Sequence, residues 1–318
     1  TYRHAKSWLM SGFIACGLAA TSVAGIPNIW IDVLAALFVG LFLGILTVVI
    51  VPVISRTIRP ERIGFWVSLG VGIAYAACNI PLIFNSTPQD HCIMGGAACV
   101  VGVILANYLP SVDSSSASEN YHIYKTPISQ FTKLGLSAIV VCFLALIWLD
   151  SAAFYIIQET ESLKKLTWSV NHQLWNLSAV HLAAALLAGW FLDRGWLQYL
   201  LLIALGILML GGWQIGHSAA HESPWPVFAY VTGVSLYSTA LVAYAALRPE
   251  TEHTPKIQTR AAWVFAVAGW CGSAMGIGMA KDLHSIPLAF FVMAAIVAGV
   301  SFIASRATVG KAQVSLPL

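Results

Sequence analysis

Asp150 is the residue of this 318-residue chain best placed to do chemistry, because it interrupts a long apolar run, Trp148-Leu149-Asp150-Ser151-Ala152-Ala153-Phe154-Tyr155. An ionised carboxylate in hydrocarbon costs about 3 kcal/mol unless it is paired or faces water. The protonated form is favoured in such a place, and taking up and releasing a proton is the chemistry a carboxyl group can supply there. The plainer reading is a carboxylate solvated near the outer surface, or paired with a neighbouring helix simply to fix packing.

Three other spacings invite a chemical reading. Tyr230, Tyr237 and Tyr244 recur every seven residues and so form one stripe down a helix, which suits helix packing and a solute track equally. Cys271, Met275 and Met279 recur every four residues and offer soft ligands suited to Cu(I), and His217 and His221 share that spacing. Apolar packing of Met and Cys, and a hydrated His at an interface, account for the same residues. The six cysteines, Cys16, Cys78, Cys92, Cys99, Cys142 and Cys271, lack a zinc-type pair or a disulfide framework. No phosphate-binding P-loop, zinc-protease motif or nucleophile elbow occurs. ATP hydrolysis within the chain is therefore not expected, nor an enzymatic activity, nor a cofactor.

The sharpest local motif is Gly189-Trp190-Phe191-Leu192-Asp193-Arg194-Gly195, which joins two apolar runs with almost no loop. A small residue permits close helix approach. Asp at a helix end with Arg beside it can pair across the membrane surface and latch neighbouring helices.

The elements that must position these residues are membrane-spanning helices. Hydrophobic residues make up 58% of the chain and charged residues 9%, and the mean hydropathy is +0.80; a soluble domain could not solvate such a surface. Ten apolar runs approach or exceed the ~20 residues that cross the hydrocarbon core: about 8–26, 30–54, 63–84, 92–110, 134–157, 173–192, 197–216, 225–247, 261–280 and 286–305. Their length, and the lack of strict polar alternation, point to an all-α integral membrane protein rather than a barrel. Pro52 marks a kink or break near one end of the second run.

Loop charge supplies the orientation, because Lys and Arg near helix ends stay on the cytoplasmic side. With both chain ends inside, that side collects Arg3, Lys6, Arg56, Arg59, Arg62, Lys125, Lys133, Arg194, Arg248, Lys256, Arg260, Arg306 and Lys311, and the other only Lys164, Lys165 and Lys281. The net charge of +3 is thus a matter of topology, and no nucleic-acid partner is expected. The polar stretch 111–133 reads as a cytoplasmic linker after four helices, and 307–318 as a cytoplasmic tail. A second polar stretch, from Glu159 to Gln173, spaces Glu161 and Lys165 for a pair on a short interfacial helix. This inside-outside bias fits a bacterial inner membrane.

The chain also repeats itself. Trp8-Leu9 and Trp196-Leu197 each open an apolar run, and Arg59-Pro60-Glu61 and Arg248-Pro249-Glu250 each close one, at offsets of 188 and 189; Gly44 and Gly233 fall on the same alignment. Internal symmetry of this kind is a signature of membrane transporters.

On the glycine-aspartate-arginine motif the chain resembles the major facilitator superfamily (MFS) of secondary transporters, whose signature between the second and third helices of a six-helix half is roughly Gly-x-x-x-Asp-Arg-x-Gly. Gly189, Asp193 and Arg194 match in place, and Trp196 stands where the final Gly would be. The resemblance implies that 134–306 is a complete six-helix half, that 1–110 holds four helices of the other half, and that the ten runs are helices 3–12 of a 6+6 fold. By that template about sixty residues carrying two helices would precede Thr1.

It also implies a role for particular residues. Gly189, Asp193 and Arg194 become a cytoplasmic gating motif, and the helix carrying Asp150 lines a central cavity with Ser151, Tyr155 and Gln158. Thr47 faces that cavity from 30–54, and Tyr230, Ser235, Tyr237, Ser238 and Tyr244 from 225–247. Asn79, His172, Asn176 and His181 lie on flanking helices, where interhelical hydrogen bonding or gating is expected.

The leading expectation is a secondary transporter that moves a small solute by alternating access, with proton coupling through Asp150 as its finer form. The competing expectation is a non-transporting subunit on the same scaffold, anchoring a larger complex through partner subunits. A third is transition-metal transport through Cys271, Met275, Met279, His217 and His221, similar to copper-importing members of the superfamily. In each case the surroundings are the lipid bilayer.

Overall fold

The computed structural model describes residues 4–26, 28–109, 135–168, 171–217, 224–247 and 254–314, and every extended element among them is a helix. They are α1 (Ala5–Gly25), α2 (Ile29–Thr57), α3 (Ile63–Cys78), α4 (Pro81–Phe84), α5 (Pro88–Asn107), α6 (Leu136–Glu159), α7 (Glu161–Trp168), α8 (Asn171–Asp193), α9 (Leu197–His217), α10 (Trp225–Tyr244), α11 (Thr254–Trp263), α12 (Gly272–Ala280) and α13 (Leu288–Val314). Among the described residues eight stretches are long and apolar enough to cross a membrane, and Leu288–Ile303 is a shorter apolar one.

The expected run 63–84 is not one helix. After Cys78 the side-chain amide of Asn79 donates to the carbonyl of Tyr75 at 2.9 Å. Pro81, which has no N–H to continue the ladder, starts the separate turn α4. By contrast α2 runs through Pro52 without a break, and α13 continues through residues expected as a tail. The expected linker 111–133 and the residues 315–318 lie outside the described residues.

The helices form two compact units: α1, α2 and α5 in one, and α3 together with α6 to α13 in the other. In the first, Leu9 and Cys16, seven residues apart on α1, meet Leu46 and Val53 of α2 and Ala106 of α5 in one apolar core. Thr87 and Asp90 form a reciprocal capping box at the start of α5. At its other end the Lys6 ammonium donates to the carbonyl of Asn107 at 2.6 Å, satisfying an acceptor that the helix leaves open. Trp30, Leu34, Leu37 and Leu41 of α2 are exposed, as side chains facing lipid tails are.

In the second unit α10 and α6 are the most enclosed of the membrane-spanning helices, and on α6 Phe143, Leu146, Leu149, Ala152, Ile156 and Ile157 are almost fully buried. Helix α6 packs on α10, α12 and α13. From α11 the chain passes through a π-helical segment, Val264–Cys271, directly into α12. There Gly272 and Gly276 lie against the backbone of α6. Beyond α6 the expected interfacial helix is present as α7, with Lys165 Nζ 2.6 Å from Glu161 Oε1. That hydrogen bond holds the exposed Glu161 carboxyl below its ordinary value.

Leu9 and Leu197 are both buried, at 1% and 2% exposure, while Trp8 and Trp196 beside them are both exposed. The helices they open, α1 and α9, each pack on the helix that follows. Arg248-Pro249-Glu250 lies outside the described residues.

Candidate functional site

Asp150 stands in the second half of α6 and is half-buried. Tyr230 and Tyr237 of α10 reach it from two turns of one helix face. The Tyr230 hydroxyl donates to Asp150 Oδ1 at 2.5 Å, and the Tyr237 hydroxyl donates to Asp150 Oδ2. Both rings are buried, at 2% and 4% exposure. Each carboxylate oxygen therefore has its own phenol donor, and among the described residues no Lys, Arg or His forms an ion pair with Asp150. Tyr244, the third member of the stripe, packs on Phe143 instead, with ring centroids 6.0 Å apart.

Ser235 and Ser238, on either side of Tyr237 in α10, carry a second polar network to α3 and α8. Tyr75 donates its hydroxyl to Ser238 Oγ at 3.0 Å, and its ring stacks on the imidazole of His181 at 4.7 Å and 2°. His181 Nδ1 lies 2.6 Å from Ser235 Oγ. Ser178 of α8 adds a 2.6 Å bond to the carbonyl of Ala76. Polar groups in the hydrocarbon region must be satisfied by protein, and these residues satisfy one another across three helices. Tyr75 gives no signal in the sequence, since an isolated Tyr in an apolar run has no spacing to mark it.

The remaining expected residues make none of the hydrogen bonds described in this network. Ser151, next to Asp150, turns to α12, where its hydroxyl donates to Ser273 Oγ at 3.0 Å. Tyr155 and Gln158 are half-buried further along α6. Thr47, in the first unit, donates to the carbonyl of Gly44 within its own helix at 2.8 Å.

Cys271, Met275 and Met279 are exposed, and the Met279 sulfur accepts the Trp148 indole N–H at 3.3 Å. No group of three or more His, Cys, Asp and Glu converges among the described residues. The side chain of His217, and His221 altogether, lie outside them.

At the end of α8 the geometry differs from an Asp-Arg pair. Asp193 Oδ1 accepts the N–H of Gly64 at 2.7 Å and Oδ2 accepts that of Phe65 at 3.0 Å. The carboxylate thus caps the start of α3, where amides lack helical partners and the dipole favours negative charge. Glycines make the approach possible: a Cβ added to Gly189 would lie 2.6 Å from the carbonyl oxygen of Gly64.

Arg194 leaves the carboxylate and lies over the Trp190 ring, 3.7 Å from its centroid. Gly195, with φ 73°, ends α8 in the left-handed conformation. The Gly195 N–H bonds to the carbonyl of Leu192 at 2.9 Å and the Trp196 N–H to that of Phe191 at 3.0 Å, a Schellman turn.

No family model matches the sequence, and no curated protein matches it. Solved structures do. The chain aligns over 95% of its length with 83% of the E. coli fucose:proton symporter FucP, at TM-score 0.56 and 13% identity. A second structure, of the MFS transporter FucP in the outward conformation, aligns over 95% of this chain and 82% of its own, at TM-score 0.57 and 14% identity. What is shared at such identity is the architecture: this is an all-α integral membrane protein. Its fold is shared with these two structures, the second of which is described as a major facilitator superfamily transporter.

Proposed function

We propose that this protein is a secondary transporter that moves a small solute by alternating access, and that Asp150 exchanges a proton during the cycle. The observation that carries the reading is the Asp150 carboxylate held between the hydroxyls of Tyr230 and Tyr237 inside a membrane-spanning helix. Two phenol donors stabilise the charged form. Protonation removes that charge and weakens both hydrogen bonds, most of all the one to the oxygen that takes the proton, since a neutral acid is a poorer acceptor than a carboxylate. A proton on Asp150 therefore changes how firmly α10 is tied to α6, which is the link a coupled carrier needs between protonation and helix position.

The solute that suits this lining is neutral or cationic, because hydroxyls, aromatic rings and one acid offer an anion little. FucP, whose fold is shared, is described as a fucose:proton symporter. The Asp193 cap on α3 serves as the cytoplasmic latch, in the orientation that loop charge favours.

Infrared difference spectroscopy of the purified protein in lipid vesicles, recorded as pH is stepped, tests proton exchange without knowledge of the solute. A carboxylic C=O band that titrates in the parent protein and vanishes in Asp150→Asn supports the reading. A parent protein without that band sinks it. Proton flux into vesicles on addition of sugars, polyols and organic amines, abolished by Asp150→Asn, then identifies the solute.

A further inference from the structure

We propose that Arg194, held in an aromatic box by Trp190 and Trp196, binds the phosphate of an anionic phospholipid at the cytoplasmic end of α8. The box is built by one backbone feature. The left-handed Gly195 reverses the chain, so that Trp196 returns onto the residues that precede the turn. Its ring lies 5.5 Å from that of Trp190 at 86°, and 5.7 Å from that of Phe191 at 67°. The tryptophan that departs from the superfamily's signature at position 196 is therefore the residue that closes the box.

Within it the guanidinium sits 3.7 Å from the Trp190 centroid and 5.9 Å from that of Trp196. Stacking of this kind occupies the face of the guanidinium and leaves its edge of N–H donors pointing outward. Asp193, the nearest acid in the chain, is already committed to Gly64 and Phe65. Among the described residues no carboxylate forms an ion pair with Arg194. A planar fork of donors with no protein acceptor matches the two oxygens of a phosphodiester.

Location decides the source of that phosphate. Trp190 is 45% and Trp196 37% exposed, at the end of a membrane-spanning helix, where indole rings sit at headgroup depth. Loop charge assigns this end to the cytoplasmic leaflet, where basic residues meet anionic lipid. A lipid tail can run down the apolar flank of α8 while its phosphate meets the guanidinium, and this requires no transport activity.

Native mass spectrometry of the full chain in mild detergent, titrated with phosphatidylglycerol or phosphatidylcholine, tests the proposal. The expected result is one phosphatidylglycerol adduct that is tighter than any phosphatidylcholine adduct and about tenfold weaker in Arg194→Ala. Arg194→Lys keeps the charge but loses the planar fork, and is expected to weaken the adduct at least about threefold. It also serves if the alanine variant fails to fold. Arg59→Ala, an exposed arginine of the same membrane face, should stay within about twofold of the parent protein. Unchanged binding in Arg194→Ala, an equal loss in Arg59→Ala, or displacement of the lipid by equimolar inorganic phosphate would each overturn it.

Discussion

Asp193 closes the first turn of α3 from 129 positions away, its Oδ1 accepting the N–H of Gly64 at 2.7 Å. With Phe65 bound to the second oxygen, one side chain satisfies two amides that their own helix leaves open. Asp193→Ala is expected to cost about 1–2 kcal/mol of stability. Asp193→Asn should cost less, because an amide oxygen still accepts. Thermal unfolding in detergent measures the loss, and hydrogen exchange at the Gly64 and Phe65 amides should accelerate with it. Unaltered exchange there would rule out the cap.

The contact between α3 and α8 depends on the absence of side chains at Gly64 and Gly189. A methyl group on Gly189 meets the Gly64 carbonyl, which is backbone and cannot rotate aside. Gly189→Ala should therefore destabilise by about 1–3 kcal/mol, as overpacking does. Gly206→Ala is the matched control on α9, where nothing lies within 4 Å of the added carbon. That change should stabilise by up to about 1 kcal/mol through helix propensity. If both substitutions shift the melting point alike, the close approach contributes nothing.

Tyr75 holds α3 to α8 and α10 in two separable ways. Tyr75→Phe keeps the ring against His181 and loses only the hydrogen bond to Ser238, at a cost of about 1 kcal/mol. Tyr75→Leu also loses the stacked pair, which adds about 0.5–1.5 kcal/mol. Denaturation of the two variants side by side separates the terms; identical stabilities would show that the stack is passive.

Orientation is open to a chemical test. Cys78, at the end of α3 away from Asp193, is exposed, whereas Cys142 within α6 is buried. In variants that retain one cysteine each, a membrane-impermeant maleimide added to right-side-out vesicles should label Cys78 and spare Cys142. Labelling of Cys78 only in inverted vesicles would reverse the orientation derived from loop charge.

Much of this architecture can be read from the chain because hydrocarbon imposes simple rules. Length and apolarity mark the spans, but they carry the run 63–84 across Pro81 and so miss that α3 stops at Cys78. Asp150 is visible because a carboxylate in an apolar run is costly, and the heptad spacing of Tyr230 and Tyr237 puts them on one face. Their bonds to Asp150 are not visible, since the same spacing places Tyr244 against Phe143. The Tyr75–His181 stack is hidden for a different reason: it joins residues more than a hundred positions apart, and neither has neighbours that reveal a partner. Arg194 is a third case. Its adjacency to Asp193 suggests pairing, but the turn at Gly195 sends the two side chains to different partners.

The π-helical segment Val264–Cys271 bears on how related chains would align. In such a segment each amide bonds five residues back rather than four, so the turn has absorbed an extra residue. One residue advances an α-helix by about 100°. A deletion between positions 264 and 271 can be taken up by closing the segment to ordinary α-helix, with Gly272 and Gly276 still facing α6. The same deletion a few residues later would swing that glycine face away and put side chains against the backbone of α6. A one-residue gap in this helix therefore belongs inside the segment, and a sequence that carries it there keeps the same helix contacts.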